Sequence, residues 1–229
     1  ERLFLRPKEF YHNARIELQI GKSALKINPD EQNIDLFDRV LKYDQLVLTT
    51  GSEPRELPNY TTNNIKNLFT MRDLTDANSI APFMKIGMRL LIVGGGYIGL
   101  EAAAIARKFG VDVMLIELED RILKRVAAKE TSEYIRSLHI SKGVNIKEST
   151  GLEKLKIERN KVVSASFTDN SNINVDFVIV GIGIIPNTKL AEDANITVNN
   201  GIFVNERCQT SISNIYAAAT VLLLIIKIL

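Results

Sequence analysis

Cysteine is nearly absent from this sequence of 229 residues, and histidine is scarce. The single cysteine, Cys208, excludes an intrachain disulfide, a Cys-x-x-Cys redox pair and a cysteine-rich zinc site within these residues, and it favours a reducing, cytoplasmic compartment. His12 and His139 each stand without further His, Cys or paired acids at metal-ligand spacing. We therefore interpret both histidines as packing or surface residues and predict no metal site.

The sequence also lacks a large excess of charge of one sign and a long apolar run. The formal net charge is +2, and the basic residues are scattered among acids, so we predict neither nucleic acid nor an anionic membrane as a partner. The longest apolar stretch, residues 215–229, is about 15 residues against the roughly 20 of a membrane-spanning helix. We expect no secretory leader before Glu1, and with 45% hydrophobic residues we expect a soluble globular protein.

Alternating strand and helix patterns predict an α/β fold. Strand-like runs cover residues 16–20, 23–27 and 45–50. Residues 90–93 then form a buried strand, a helix follows, and residues 111–117 form a second strand, which together make a βαβ unit. Apolar residues recur on one face of that helix at Ile98, Ala102, Ile105 and Phe109.

Between that strand and that helix, Gly94-Gly95-Gly96-Tyr97-Ile98-Gly99 fits the dinucleotide-binding pattern G-x-G-x-x-G. Gly94 permits a tight turn, Gly96 lets a pyrophosphate approach bare backbone, and Gly99 lets the helix pack closely on the strand. Amide groups at the helix N-terminus then face the anion. Taken alone, the match also fits a simple glycine-rich turn.

Glu117 strengthens the interpretation because it ends the second strand, where an acid can bind the adenosine ribose hydroxyls and repel the extra phosphate of NADP. NADH is therefore the favoured nucleotide, and a solvated strand end is the alternative. Arg121, Lys124 and Arg125 keep NADPH open, since a basic cluster can accept a 2′-phosphate, or one of them can cover the adenine.

Four segments occur in an order and spacing that resemble the NADH-dependent ferredoxin and rubredoxin reductases, which supply electrons to oxygenases. They read "YDQLVLTTGSEPREL", "LLIVGGGYIGLEAA", "DRILKRVA…LHISKGVNI" and "DFVIVGIGIIPNTKLAEDANITVNNGIFVNERCQTSISNIYA". The resemblance implies a glutathione reductase-like architecture with a Rossmann-like NAD-binding domain inserted in a partial FAD-binding domain. The implied bounds are 1–52 and 184–218 for the FAD-binding domain and 53–183 for the NAD-binding domain.

The resemblance also implies the reaction and the cofactors, FAD and NADH. NADH passes hydride to the flavin, which then passes single electrons to a ferredoxin or a rubredoxin. Tyr97 and Glu101 are expected to position the junction of nicotinamide and flavin, and neither acts by proton transfer. Their alternative reading is a packed aromatic and a surface acid at the start of a helix.

The remaining site residues follow from matched positions. Ile182 and Gly183 are expected to line the nicotinamide with backbone, because a side chain at Gly183 would intrude. Arg125 matches the adenosine-contacting arginine. The residues expected to contact NAD are Gly94, Gly96, Tyr97, Ile98, Gly99, Glu101, Glu117, Arg125, Ile182 and Gly183. Those expected to contact FAD are Ala24, Thr50 and Arg72.

The resemblance ends near Ala218, where these reductases continue "YAAGDC" and this sequence reads Ala219-Thr220-Val221. Loss of one base from codons for Gly-Asp-Cys yields Ala-Thr-Val, so we hypothesise that residues 219–229 are translated out of frame. The underlying DNA tests this. We also expect that the segment gripping the FAD pyrophosphate lies upstream of Glu1, that the C-terminal domain is missing, and that this fragment purifies without flavin.

Two other readings remain. One is a disulfide- or peroxide-reducing flavoprotein of the same fold, whose redox cysteine would lie upstream. The other is a non-catalytic NADH-binding protein, which would reduce dyes poorly in a diaphorase assay.

Overall fold

The structure, a computed structural model, describes residues 5–224. The helices are α1 (Lys8–Asn13), α2 (Leu74–Ile80), α3 (Tyr97–Lys108), α4 (Lys129–Ser141) and α5 (Lys189–Asp193), with 3-10 turns at Thr62–Asn64, Ala81–Phe83 and Ala219–Val221. The strands are β1 (Ala24–Asn28), β2 (Asn33–Leu36), β3 (Val40–Lys42), β4 (Leu46–Leu48), β5 (Ser52–Pro54), β6 (Leu68–Thr70), β7 (Arg89–Val93), β8 (Asp112–Ile116), β9 (Val144–Lys147), β10 (Leu152–Glu158), β11 (Lys161–Phe167), β12 (Asn172–Asn174), β13 (Phe177–Val180), β14 (Ile184–Pro186), β15 (Ile202–Val204), β16 (Ile215–Ala217) and β17 (Leu222–Leu224).

The chain divides into two compact units: Ser52–Ile185, and the remainder of the chain on both sides of it. The unit Ser52–Ile185 contains a five-stranded parallel sheet in the order β6-β13-β7-β8-β9. The predicted α/β class and the βαβ unit from β7 through α3 to β8 are therefore confirmed.

Both faces of this sheet are covered, which explains why β7 and β13 read as unbroken apolar runs. On one face, Leu90 and Ile92 of β7 pack in a cluster with residues of α2, α3 and β8. On the other face, Leu91 and Val93 pack with β10 and β11, which form an antiparallel sheet with β12.

Helix α3 packs on the sheet through its small residues. Its buried residues are Gly99, Leu100, Ala102, Ala103 and Ala106. The predicted apolar face was wrong, because only Ala102 of its four members is buried, while Ile98, Ile105 and Phe109 are 37%, 47% and 54% exposed. A face of glycine and alanine lets the helix backbone lie close to the sheet, and bulkier residues point outward.

His139 connects α4 to α3. Its Nδ1 lies 2.9 Å from the carbonyl oxygen of Ile135 in the same helix, and its Nε2 lies 3.1 Å from the carbonyl oxygen of Leu100 in α3. Of the two interpretations given from the sequence, packing or surface, these contacts favour packing for His139. His12 lies exposed in α1.

The second unit holds small sheets: β1-β2-β3 is antiparallel, and β4 pairs with β16 and β15 with β17 in parallel. Its core includes Ile27, Leu48, Ile202 and Ile215. The strand predicted over residues 16–20 is wrong. Three of its residues, Ile16, Leu18 and Ile20, are exposed, so this apolar run packs into no core.

Ala219 has a φ of 65°, in the left-handed region that glycine adopts most easily. The sequence hypothesis of an out-of-frame tail begins at this residue, and residues 225–229 of that tail lie outside the described part of the chain. Among the described residues, no helix is both long and apolar enough to cross a membrane.

Candidate functional site

A cleft of about 760 Å³ lies at the carboxyl ends of β7 and β13, inside the unit Ser52–Ile185. In a parallel sheet, ligands bind where the strand order reverses, and here β8 lies on one side of β7 and β13 on the other. The predicted site residues that line the cleft are Arg72, Gly94, Gly96, Tyr97, Ile98, Glu117, Arg125, Ile182 and Gly183.

The glycines of the turn have different surroundings. A Cβ atom at Gly94 would lie 2.4 Å from the carbonyl oxygen of Gly181, and the φ of Gly94 is 108°. One at Gly99 would lie 2.2 Å from the carbonyl oxygen of Gly94. At Gly96, by contrast, nothing lies within 4 Å. Gly94 and Gly99 therefore serve the packing of the turn, and Gly96 leaves open space in the cleft.

Glu117 is bound to the glycine turn. Its Oε2 accepts a hydrogen bond of 2.6 Å from the Gly95 amide, and its Oε1 accepts one of 2.9 Å from the Glu119 amide. The carboxylate is thus fixed beside the turn by two backbone donors, and it is not a freely solvated strand end. The contact ties the second strand of the βαβ unit to the loop after the first.

Gly95, the unassigned position of the motif, also has a steric role. A Cβ atom there would lie 2.7 Å from Cγ2 of Ile122 and 3.1 Å from Oε2 of Glu117. The sequence signal for it was the run of three consecutive glycines, although its partners come from the loop after β8.

The three basic residues after β8 differ in their partners. Arg121 donates to Ser132 and to the carbonyl oxygens of Lys124 and Ala127, so it holds the loop together. Lys124 forms ion pairs with Glu119 at 2.8 Å and Asp120 at 3.3 Å. Arg125 is exposed at the cleft and makes no side-chain hydrogen bond or ion pair with the described residues.

Tyr97 and Glu101 begin α3 on the same side, one turn apart. Tyr97 is 58% exposed and lines the cleft. Glu101 is exposed and lies outside the residues that line it. The structure therefore brings Tyr97, but not Glu101, to the cleft wall.

Ile182 and Gly183 follow β13 at the far side of the cleft. The φ of Gly183 is 116°, and a Cβ atom there would make only an ordinary contact of 3.6 Å with Arg55. The backbone conformation by itself favours glycine at this position, and the intrusion of a side chain on the nicotinamide stays a prediction.

The three residues predicted to contact FAD fall in different units. Arg72 lines the cleft, and its amide donates to Asp76 at 2.6 Å. Ala24 begins β1, opposite Leu36 of β2. Thr50 is held by Asn187: the threonine hydroxyl donates to the backbone carbonyl oxygen of Asn187 at 2.6 Å, and the side-chain Nδ2 of Asn187 donates to the Thr50 carbonyl oxygen at 3.1 Å.

The cleft combines a bare turn at the start of a helix with an oriented carboxylate and a basic residue. A helix N-terminus with exposed amides attracts phosphate oxygens, and a carboxylate binds the hydroxyls of a sugar. Within the described residues, no group of three or more His, Cys, Asp or Glu side chains is placed to hold a metal ion. The arrangement suits a dinucleotide.

The sequence profile of the pyridine nucleotide-disulphide oxidoreductase family matches residues 6–226, and the chain belongs to this family. Its relatives include putidaredoxin reductase CamA from Pseudomonas putida, 40% identical over 217 residues, which make up 92% of this chain and 51% of that protein. Rhodocoxin reductase from Rhodococcus erythropolis is 35% identical, over 95% of this chain and 51% of the relative.

A crystal structure of a covalent putidaredoxin reductase–putidaredoxin complex matches 97% of this chain with a TM-score of 0.91 and 38% identity, and the match covers 55% of the solved chain. The resemblance to ferredoxin reductases predicted from the sequence is therefore confirmed. This chain spans about half the length of the relatives it matches.

Proposed function

We propose that the unit Ser52–Ile185 binds NADH in its cleft and that the chain contributes this site to an NADH-dependent ferredoxin or rubredoxin reductase of an oxygenase system. The observation that carries the proposal is the Glu117 carboxylate, bonded to the Gly95 amide beside the open space at Gly96. That arrangement offers the diphosphate a bare turn and the adenosine ribose a fixed acceptor. The relatives named for such reductases support it.

In this proposal the residues of the chain act by position. The turn and Glu117 hold the diphosphate and adenosine end, while Tyr97 covers the nicotinamide. A role for Glu101 beside the nicotinamide rests on the sequence resemblance alone, because Glu101 lies outside the residues that line the cleft. Ile182 and Gly183 present backbone to the nicotinamide. Hydride transfer depends mainly on the alignment of two rings, so no residue is assigned a proton-transfer step.

FAD is the proposed hydride acceptor. When bound, it would accept two electrons as a hydride and release them one at a time to an iron–sulfur or rubredoxin partner. Arg72, which lines the cleft, and the backbone at Ala24 and Thr50 would hold it. We further propose that residues 53–183 are the NAD-binding domain and that residues 1–52 and 184–218 are parts of the FAD-binding domain. The proposed compartment of the protein is the cytoplasm.

Replacing Glu117 tests the proposal. In Glu117→Ala we expect the dissociation constant for NADH to rise about 10- to 100-fold, since a charge-assisted hydrogen bond contributes about 1.5–3 kcal/mol. The preference for NADH over NADPH should narrow, because the acid that repels a 2′-phosphate is gone. Fluorescence titration of the chain with both nucleotides measures each constant.

Glu158→Ala is the matched control. Glu158 pairs with Lys156 at the exposed end of β10, away from the residues that line the cleft, so its removal should leave both constants unchanged. An unaltered ratio of NADPH to NADH affinity in Glu117→Ala would remove the ribose role from Glu117. Absence of NADH binding by the unmodified chain would refute the proposal itself.

A further inference from the structure

The loop after β8 carries one lysine, Lys124, whose ammonium group is paired with acidic side chains of the same loop. Lys124 lines the cleft together with Glu117 and Glu119. Its Nζ lies 2.8 Å from Oε2 of Glu119 and 3.3 Å from Oδ1 of Asp120. We call these three residues, Glu119, Asp120 and Lys124, the Lys124 cluster.

The backbone under this cluster is well fixed. The Glu119 amide donates to Oε1 of Glu117, and the Glu119 carbonyl oxygen accepts from the Ser149 amide at 2.8 Å. The side chain of Glu119 therefore starts from a set position beside the carboxylate proposed to bind the ribose. Hydrogen bonds from Lys124 to Glu119 and Asp120 raise the pKa of the lysine.

An NADP 2′-phosphate would need cations at this place. A phosphate monoester carries close to two negative charges, and proteins bind it through charge-assisted bonds from Arg and Lys. Of the three basic residues after β8, Arg121 is committed to its own loop and Arg125 is exposed. Besides Arg125, Lys124 is the other cation of this loop that lines the cleft, and its partners are the acids Glu119 and Asp120.

We propose that Glu119 and Asp120 act as specificity-determining residues by holding Lys124 away from a 2′-phosphate, so that they reinforce the selection of NADH by Glu117. This rests on the proposed function, because it concerns the adenosine end of the same cleft. Selectivity then has two layers: an acid that takes the ribose hydroxyls, and a lysine withdrawn from the competing ligand.

The double variant Glu119→Gln/Asp120→Asn keeps the size of both side chains and removes their charge. We expect the dissociation constant for NADPH to fall about fivefold while that for NADH changes less than about twofold, the scale of an exposed ion pair. Adding Lys124→Met to the double variant should abolish the gain, because the gain is attributed to the freed ammonium. Glu158→Gln, in the exposed pair with Lys156, is the control and should change neither constant.

The outcomes separate the two proposals. If the unmodified chain binds no NADH, the proposed function fails. If it binds NADH but the double variant gains nothing with NADPH, or the triple variant keeps the full gain, the role of the Lys124 cluster is refuted while the NADH site stands. A gain that shrinks as salt is raised would support the electrostatic cause, since about 1 M salt screens charges beyond about 3 Å.

Discussion

Gly96 and Gly99 lie in the same turn, yet a methyl group at each would meet different surroundings. In Gly99→Ala the new Cβ would lie 2.2 Å from the Gly94 carbonyl oxygen, so the helix and the turn must separate. We expect the free energy of unfolding to fall by about 1–3 kcal/mol, as for other overpacked sites. Chemical denaturation of the variant measures this loss.

Gly96→Ala is the contrasting variant at this scale. Its methyl group would have nothing within 4 Å, and the φ of Gly96, −81°, suits alanine. Stability should change by less than about 1 kcal/mol, whereas NADH should bind about tenfold more weakly or worse, because the methyl group occupies the space proposed for the diphosphate. Equal effects of the two variants on stability would contradict this division of roles.

Among single residues, spacing alone was enough to identify Gly94, Gly96, Gly99 and Glu117 as candidate nucleotide contacts, because a turn between a strand and a helix obeys local geometry. The hydrogen bond from Gly95 to Glu117 could not be predicted, because it depends on how the loop after β8 folds back over the turn. The pairing of Lys124 with Glu119 and Asp120 likewise depends on the fold of that loop, and spacing along the sequence did not indicate it.

Strands β7 and β13 are joined at their amino ends by one ion pair. Both the backbone amide and the side chain of Arg89 donate to the Asp176 carboxylate, at 2.8–3.1 Å. These bonds hold the pKa of Asp176 below its ordinary value and raise the pKa of Arg89. The pair helps fix the register of the two strands that open onto the cleft.

Because the pKa of Asp176 is lower in the folded chain, its contribution to stability is fully present above the ordinary aspartate pKa of about 3.9 and is lost as pH falls through the lowered value. We expect Asp176→Asn to lower the free energy of unfolding by about 1 kcal/mol at pH 7, with the difference from the unmodified chain shrinking below about pH 4. Urea titrations at several pH values measure it. A constant difference across that range would contradict the ionic origin, and Asp30→Asn, in an exposed turn, serves as the control.

Among the elements, those marked by a continuous apolar run or by the glycine turn were predictable, whereas the short alternating run at residues 16–20 was misleading. The bounds of β7, α3 and β8 follow from an apolar run, a glycine turn and a second run. The inward face of α3 was mistaken because alanine and glycine carry little hydrophobic signal, although they allow the closest approach to a sheet. The run at residues 16–20 alternates like a strand, but no core receives it.

Within the whole molecule, the unit Ser52–Ile185 has a hydrophobic core of its own. Both core clusters on the faces of the parallel sheet consist of residues from Ser52–Ile185, and so do the residues that line the cleft. We expect residues 52–185 expressed alone to unfold cooperatively and to bind NADH within about threefold of the affinity of the whole chain, since a segment with its own core can fold alone.

Circular dichroism on heating and a nucleotide titration measure the two properties. A segment that binds NADH but melts without a cooperative transition would contradict the independent core. One that folds cooperatively but has lost NADH would show that the cleft needs the remainder of the chain. The resemblance of the sequence to a two-domain flavoprotein gave domain bounds of 1–52, 53–183 and 184–218, and their assignment to FAD and NAD stays a prediction.

The ends of this unit meet as a pair of strands, with β5 beside β14 and the Arg55 amide donating to the Gly183 carbonyl oxygen at 2.9 Å. The chain therefore enters and leaves the unit Ser52–Ile185 at adjacent positions. The ends of the two flanking segments are held close together, as by a tight hairpin, so the length of the inserted unit adds little to the entropy cost of loop closure. A genetic exchange that brought in another module with equally adjacent termini would leave those flanking segments unperturbed. On the proposed function, such an exchange would change which nucleotide the protein accepts.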